Sequence, residues 1–182
     1  MLMLIAVTFY LLLPAYLANM APPIFGRLGL LKPLAKPIDG GRKWRGEYIF
    51  GSGKTWRGVV AAVIFGILTA GLQAWLFNYP SFEGISLVDY PSVWPVFGFL
   101  AGLGAIMGDL AKSFFKRRIG IASGGSWPVF DQLDFIAGFF LFTWGYAALF
   151  WQVAVAACLL TLILHPLTNI AAYLLKLKKV WW

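Results

Sequence analysis

The chain has 182 residues, of which 60% are hydrophobic, 18% are aromatic and only 12% are charged. Soluble proteins carry roughly 25% charged residues on average, so this composition excludes a soluble globular domain and indicates an integral membrane protein. The formal net charge is +8, but apolar runs separate the cations, whereas a nucleic-acid-binding protein gathers them on a water-facing fold. We therefore expect no nucleic-acid partner. The single cysteine, Cys158, can form no internal disulfide.

Five apolar segments approach the length of about 20 residues that a helix needs to cross a bilayer. We predict transmembrane helices at about residues 1–20, 57–77, 93–113, 128–149 and 152–175. The first segment lacks the basic start of a cleaved signal peptide, so it is assigned as a span. The expected fold is an all-α integral membrane protein, a five-helix bundle forming a single membrane domain over residues 1–182. Its functional site is expected in the cytoplasmic loops, which are residues 21–56 and 114–127.

The distribution of cations predicts the orientation of the chain. Every Lys and Arg lies in the first loop, in the loop between the third and fourth spans, or in the C-terminal tail, whereas the remaining loop near Glu83 and Asp89 has none. Under the positive-inside rule the basic segments are cytoplasmic. The N-terminus is then outside the cell membrane, and the C-terminus and the site are inside. For the tail cations, including Lys178 and Lys179, setting the topology is a sufficient role.

Three aspartates lie at the predicted cytoplasmic rim of the bundle. Asp109 ends the third span, while Asp131 and Asp134 begin the fourth, at a spacing of three that puts both on one helix face. Carboxylate oxygens with open positions suit Mg²⁺, so these residues are the predicted metal ligands. Asp131 could instead serve the helix dipole. A further alternative is that the aspartates pair with nearby cations, which are Lys112, Lys116, Arg117 and Arg118.

Two glycine-containing stretches have the composition of an anion site. Gly124 and Gly125 lie between the aspartates, and glycines let backbone N–H groups approach an anion. In the first loop, Gly-Lys-Thr resembles the end of a P-loop, but Tyr48 stands where that motif needs glycine, and no hydrophobic strand precedes it. The alternatives are a plain turn and a plain linker. The phosphate-binding candidates in the first loop are Lys54, Thr55 and Arg57.

His165, Pro166 and Asn169 interrupt the apolar pattern of the last span. Polar residues within a span usually face the bundle interior. Asn169 lies one turn beyond His165 on the same face, so the pair could line a substrate cavity. Asn169 could equally satisfy a carbonyl freed near Pro166, and both interpretations stay open at this point.

Two families share motifs with this sequence. The run G-D-L-x-x-S-x-x-K-R from Gly108 to Arg117, followed by D-Q-L-D at Asp131 to Asp134, resembles the signature of the CDP-diacylglycerol synthases. Residues 119–128 lack the Lys-Asp and Gly-His-Gly-Gly elements of the bacterial signature, so one expected carboxylate is absent. The whole chain is more similar to the CDP-archaeol synthase family. The motifs behind that similarity are G-K-T-W-R-G at Gly53 to Gly58, P-x-x-D-Q-L-D at Pro128 to Asp134, and H-P-x-x-N at His165 to Asn169.

The resemblance implies a membrane enzyme that joins CTP to an isoprenoid glycerol ether phosphate, 2,3-bis-geranylgeranylglycerol 1-phosphate, and releases pyrophosphate. The aspartates predict Mg²⁺ as cofactor, the composition predicts membrane lipids as surroundings, and the sequence gives no oligomeric state. The expected catalytic residues are Asp109, Asp131, Asp134, Lys116 and Arg117, with the three aspartates as metal ligands. The expected residues for CTP and phosphate are Lys54, Thr55, Arg57, Ser113, Gly124, Gly125 and Asn169.

Two other functions compete with this one. A CDP-alcohol phosphotransferase also uses aspartates at helix ends, but it needs glycine after the first aspartate, where this chain has Leu110. A small transporter or channel with cytoplasmic phosphate sites would need polar residues through the depth of several spans. The outer halves of the predicted spans are almost free of charge, which disfavours a transport pathway and favours the enzyme.

Overall fold

The computed structural model describes residues 1–146 and 151–176, and these residues are mostly helical. A two-residue antiparallel pairing, β1 with β2, forms a small hairpin in the first loop, so the expected all-α fold needs this correction. A 3₁₀ turn at Lys32–Leu34 precedes the hairpin. In chain order the elements are α1 (Leu2–Leu28), β1 (Lys43–Trp44), β2 (Glu47–Tyr48), α2 (Trp56–Leu76), the single-turn α3 (Pro80–Glu83), α4 (Tyr90–Arg118), α5 (Phe130–Phe142) and α6 (Trp151–Leu174).

In the part of the chain that the structure describes, four helices, α1, α2, α4 and α6, are long and apolar enough to cross a membrane. The predicted fourth span, 128–149, is shorter: α5 has 13 residues, about 20 Å at 1.5 Å per residue, against a hydrocarbon core of roughly 30 Å. The count of five spans is therefore not confirmed. Residues 147–150, which include part of that predicted span, lie outside the described chain, as do the tail residues 177–182.

Both loops predicted as cytoplasmic are shorter than expected. The first helix continues past residue 20 to Leu28, where Gly29 takes the left-handed conformation at φ 65° and closes the helix. The fourth helix runs to Arg118, and three consecutive cations in its last turn suit the negative end of the helix dipole. Parts of 21–56 and 114–127 are thus helical, because apolar runs show where a bilayer would end and not where backbone hydrogen bonding ends.

Small residues bring the helices close to α4, which packs against α2 on one side and α5 on the other. A side chain on Gly66 of α2 would come within 3.0 Å of the backbone of Gly98 and Gly102 on α4. Glycine contacts of this kind let membrane helices approach backbone to backbone. The last helix, α6, packs against α1 and α5. The Tyr16 hydroxyl of α1 lies 2.7 Å from the Thr161 hydroxyl of α6.

The contact between α4 and α5 has the same character and sets the position of two aspartates. A Cβ on Gly104 would lie 2.5 Å from the carbonyl oxygen of Gly138, and one on Gly108 would overlap the backbone carbonyl of Asp134. Because Gly108 precedes Asp109, this close approach places Asp109 beside Asp134.

One buried carboxylate organises the first loop. The two oxygens of Asp39 accept hydrogen bonds from the backbone N–H groups of Gly41 at 2.9 Å, Phe50 at 3.0 Å and Gly51 at 3.2 Å. Burial raises the pKa of Asp39, but these three donors outweigh it, so the pKa lies below its usual value. The charged form of this side chain therefore stabilises the closed loop.

The hairpin of this loop docks on the C-terminal end of α4. The Trp44 ring stacks on Phe114 with centroids 5.5 Å apart. The guanidinium of Arg118 lies 4.8 Å from the Trp44 ring and 4.5 Å from the Phe114 ring, and its Nη1 donates to the carbonyl oxygens of Trp44 and Tyr48. This cation–π contact fixes the loop relative to α4.

Replacing Gly108 by alanine should separate α4 from α5. Ala favours a helix over Gly by about 1 kcal/mol, but the new methyl group would overlap the Asp134 backbone, and overpacking costs about 1–3 kcal/mol. We expect a net loss of stability in detergent thermal unfolding. The control is Gly71→Ala, whose methyl would meet only the edge of the Trp94 ring. Equal melting temperatures for Gly108→Ala and the wild type would contradict the close contact.

Replacing Asp39 by asparagine should loosen the first loop at neutral pH. Asparagine keeps one acceptor oxygen in place of two, and a hydrogen bond to a charged group contributes about 1.5–3 kcal/mol. We expect backbone amides 41, 50 and 51 to exchange hydrogen at least about tenfold faster. In the wild type the same stabilisation is present above the unfolded pKa of about 3.9 and is lost as pH falls through the lower folded pKa. Unchanged exchange in Asp39→Asn, with Asp89→Asn as control, would refute this role.

Candidate active site

A cavity of about 650 Å³ lies where the first loop meets the ends of α1, α2, α4 and α5 and the polar part of α6. The structure brings all the site residues predicted from the sequence to this one cavity. Glycine backbone, cations and carboxylates line one side, and the uncharged side chain of Asn19 and the prolines Pro22 and Pro23 line the α1 side. The predicted residues that line it are Lys54, Thr55, Arg57, Asp109, Ser113, Lys116, Arg117, Gly124, Gly125, Asp131, Asp134 and Asn169.

The three aspartates meet around one ammonium group, that of Lys112. The Lys112 Nζ atom lies 3.1 Å from Asp109 Oδ1, 3.1 Å from Asp131 Oδ1 and 2.6 Å from Asp134 Oδ2. The Lys112 side chain is only 13% exposed. Carboxylates from two helices thus converge on one cation position, as the spacing of Asp131 and Asp134 predicts.

Two further lysines complete the cluster. Lys54 from the first loop lies 2.5 Å from Asp109 Oδ2. Lys116 donates to both oxygens of Asp131, at 2.9 and 3.2 Å, and also to the carbonyl oxygen of Gly125. Three lysines therefore balance three aspartates, and Lys116 joins α4, α5 and the glycine turn at one point.

The pairing of aspartates with nearby cations, which the sequence left as an alternative, is present in the structure. Asp131 also lies in the first turn of α5 and accepts a hydrogen bond from the backbone N–H of Trp127 at 2.5 Å. Its negative charge there also suits the positive end of the helix dipole. These contacts are compatible with a metal-binding role as well as a structural one, because Lys112 holds the carboxylates in the converging arrangement that a shared metal would need.

The donor set fits a hard divalent cation, although a lysine is at its centre. Among residues 1–146 and 151–176, no group of three or more His, Cys, Asp or Glu side chains is already arranged to hold a metal ion. The three aspartate oxygens nevertheless surround a single cation, and Mg²⁺ prefers carboxylate oxygens while keeping positions for water and phosphate. Lys112 Nζ lies at the point where these three oxygens converge.

The basic side of the cavity offers donors to an anion. Arg117 is buried; its Nη2 donates to the Ala122 carbonyl at 3.1 Å, and its Nε has no hydrogen-bond partner in the described part of the chain. Thr55 caps α2 by accepting from the Gly58 N–H at 3.3 Å, which leaves its hydroxyl proton for another acceptor. Gly51, at φ 98°, brings the first loop against Ser123. These groups form one polar wall beside the aspartates.

On α6, His165 and Asn169 line the same cavity, which supports the first of the two interpretations drawn from the sequence. The His165 ring stacks on Phe135 of α5, with centroids 6.2 Å apart. Its Nδ1 lies 3.4 Å from Nδ2 of Asn169. Since Phe135 follows Asp134, this stack puts the last helix directly next to the aspartate cluster.

Sequence reasoning missed three residues of this region. Lys112 was treated only as a possible partner, yet its spacing of three from Asp109 places both on one helix face. Asn19 is a polar residue within the first predicted span, and such residues usually face the interior. Asp39 has no comparable signal, because its role depends on backbone N–H groups that the folded loop brings to it.

Known proteins match this chain over nearly its whole length. The family model described as CarS-like, CDP-archaeol synthase, matches residues 1–182. A CDP-archaeol synthase of Methanococcus aeolicus is 36% identical over 176 residues, covering 96% of this chain and 95% of the relative. A CDP-archaeol synthase of Methanosarcina mazei is 40% identical over 185 residues, covering 94% of this chain and all of the relative.

A solved structure is similar as well. It is described as an intramembrane enzyme for archaeal membrane lipids biosynthesis, and it shares 32% identity and a TM-score of 0.74, covering 89% of this chain and 92% of that one. The resemblance seen in the sequence motifs is confirmed. The chain belongs to the CDP-archaeol synthase family.

Proposed function

We propose that this chain transfers the cytidylyl group of CTP to the phosphate of an isoprenoid glycerol ether lipid and releases pyrophosphate. At a coarser level, its family membership makes it a CTP-dependent cytidylyltransferase of archaeal lipid biosynthesis. The observation that carries the finer proposal is the shared cavity. Carboxylates from two helices and cations from the first loop line one space at the end of a membrane bundle.

The reaction requires alignment more than side-chain chemistry. An oxygen of the lipid phosphate attacks the α-phosphorus of CTP, and the bond from that phosphorus to the bridging oxygen breaks, so its electron pair leaves with pyrophosphate. The attacking phosphate dianion is already a nucleophile, and no serine or cysteine has to be activated. The protein must hold the two substrates in line and stabilise the charge on the leaving group.

The residues of the cavity divide these tasks between them. Arg117, which has an unpaired Nε, can bind a phosphate through two N–H groups. Lys54 can bind another, because it lines the cavity beside Ser52 and Gly53 of the same loop. Ser113 and the Thr55 hydroxyl are further donors. Lys116 is already engaged by Asp131 and Gly125, which favours a role in positioning Asp131 over direct contact with a phosphate.

The predicted Mg²⁺ would be held by Asp109, Asp131 and Asp134. When bound, it would supply positive charge to the phosphate oxygens of CTP. The glycine turn at Gly124 and Gly125, which Lys116 ties to Asp131, would bring backbone N–H groups to the same phosphates.

The membrane location follows from the lipid substrate. Four apolar helices support insertion in a bilayer, where two isoprenoid chains can lie against the bundle while the headgroup reaches the cavity. We propose that the cavity opens to the cytoplasm, where CTP is made, and that the N-terminus lies outside the cell membrane. The distribution of cations supports this orientation.

The activity can be tested with purified protein in detergent. CTP labelled at the α-phosphate, Mg²⁺ and an isoprenoid ether lipid phosphate should give a labelled lipid and an equal amount of pyrophosphate. Omitting either the lipid phosphate or Mg²⁺ should stop both products. If neither product formed under complete conditions, the transporter hypothesis would be favoured instead.

Asp134→Asn should abolish turnover while the protein still folds. The amide keeps the shape of the carboxyl group but removes the charge that faces Lys112. We expect a rate at least about 10²-fold lower, since removing one charge-stabilising group from an active site typically costs roughly 10²–10³-fold. The melting temperature should change little, because Lys112 still lies 3.1 Å from a carboxylate oxygen of Asp109 and of Asp131. Glu83→Gln, in the loop between α2 and α4, is the control, and near-normal activity of Asp134→Asn would remove the proposed role of this residue.

A further inference from the structure

The position of Lys112 conflicts with the simultaneous presence of a metal ion on all three aspartates. Its Nζ lies 2.6–3.1 Å from one oxygen of each aspartate. Mg²⁺ would need the same oxygens at about 2.0–2.1 Å. A monovalent and a divalent cation cannot share that space, because they would overlap and repel each other. Either the metal takes fewer aspartates, or the ammonium group moves.

The cluster also explains why Lys112 stays where it is before a metal binds. The three aspartate side chains are at most 21% exposed, and an unpaired charge in such surroundings is strongly destabilising. Lys112 is the one lysine of the cluster that touches all three aspartates, whereas Lys54 contacts only Asp109 and Lys116 only Asp131. The Lys112 ammonium group therefore offsets negative charge on all three carboxylates, as a bound metal would.

A triphosphate provides a new partner for the ammonium group. Lys112 lines the cavity, and its four-carbon stem lets Nζ reach different acceptors by rotation. Among residues 1–146 and 151–176, Lys112 contacts only side-chain carboxylates, whereas Lys116 also donates to the backbone carbonyl of Gly125. Lys116 is thus tied to the turn, whereas Lys112, like Lys54, can change partners without breaking a backbone contact in the described part of the chain.

We propose that Lys112 is the resident counter-cation of the three aspartates and that it moves to the phosphates of the nucleotide when Mg²⁺ and CTP bind together. The inference rests on the proposed function. Its consequence is positive coupling between the two ligands: the nucleotide removes the ammonium that blocks the metal, and the metal releases the ammonium that binds the nucleotide. By linkage, each ligand raises the affinity for the other by the same factor.

The test compares the wild type with Lys112→Met, which keeps the length of the stem and removes the charge. Full-length protein in detergent is titrated calorimetrically with Mg²⁺ alone, with CTP alone, and with CTP at saturating Mg²⁺; no lipid phosphate is present, so there is no turnover. Complex formation between Mg²⁺ and CTP in solution is the same for both proteins, so it cancels in the comparison. Lys43→Met, which removes an exposed hairpin cation near Tyr48, is the matched control.

We expect Mg²⁺ alone to bind Lys112→Met at least about tenfold more tightly than the wild type, and the coupling factor between Mg²⁺ and CTP to fall by a similar amount. Lys43→Met should behave as the wild type. Without ligands, Lys112→Met should melt at a lower temperature than the wild type, and millimolar Mg²⁺ should restore its stability. A merely structural lysine would not be replaced by Mg²⁺ in this way.

Equal Mg²⁺ affinity and equal coupling in the two proteins would overturn the inference while leaving the proposed function intact. If the wild type bound neither Mg²⁺ nor CTP, the proposed function would fail first. Should Lys112→Met not fold even with Mg²⁺, Lys112→Gln, which keeps a hydrogen-bond donor without the charge, is measured in its place with the same expected and contrary results.

Discussion

The partly buried cluster of three aspartates and three lysines is the constraint on which the rest of this structure depends. Isolated carboxylates are costly at the edge of a membrane, so Asp109, Asp131 and Asp134 are tolerable only because cations lie within 3.1 Å of each. Those short distances require α4 and α5 to touch backbone to backbone. The glycine contacts along these helices allow that approach. The packing of α4 against α5 therefore determines the electrostatics of the site.

The first loop supplies the other half of the site through independent contacts. Asp39 closes the loop on itself, and the Arg118 guanidinium holds its hairpin against α4. Together they set the path of the chain that carries Lys54 to Asp109. A loop with many cations would otherwise be repelled from itself and spread over the surface. Here Lys54 is held at Asp109, and Lys54 and Arg57 both line the cavity.

The sequence predicted the membrane class and the residues of the cavity because both leave local signals. Hydropathy marks the spans, and the motif around Asp109 together with Asp131 and Asp134 marks the cluster. The length of α5 was not predictable, since the apolar run after Asp131 continues well past Phe142, where the helix ends. The hairpin was hidden by its two-residue strands, whose pairing depends on packing against Phe114.

The central position of Lys112 among the aspartates is the feature of the site that the sequence predicted least well. In the sequence Lys112 is one of four cations near the aspartates, and the motifs favour Lys116 and Arg117 as the catalytic cations. Its central place follows from the angle at which α5 approaches α4, a tertiary property that spacing along one helix does not encode. The same contact that places Asp134 next to Asp109 therefore decides which lysine lies between them.

The most direct test of the central claim is a crystal structure with CTP and Mn²⁺, in which anomalous scattering locates the metal. The proposed mechanism predicts an anomalous peak in bonding contact with Asp109, Asp131 and Asp134, beside the nucleotide phosphates and with the Lys112 ammonium withdrawn from the aspartates. A metal bound away from these three carboxylates, or phosphates on a different surface of the protein, would contradict it.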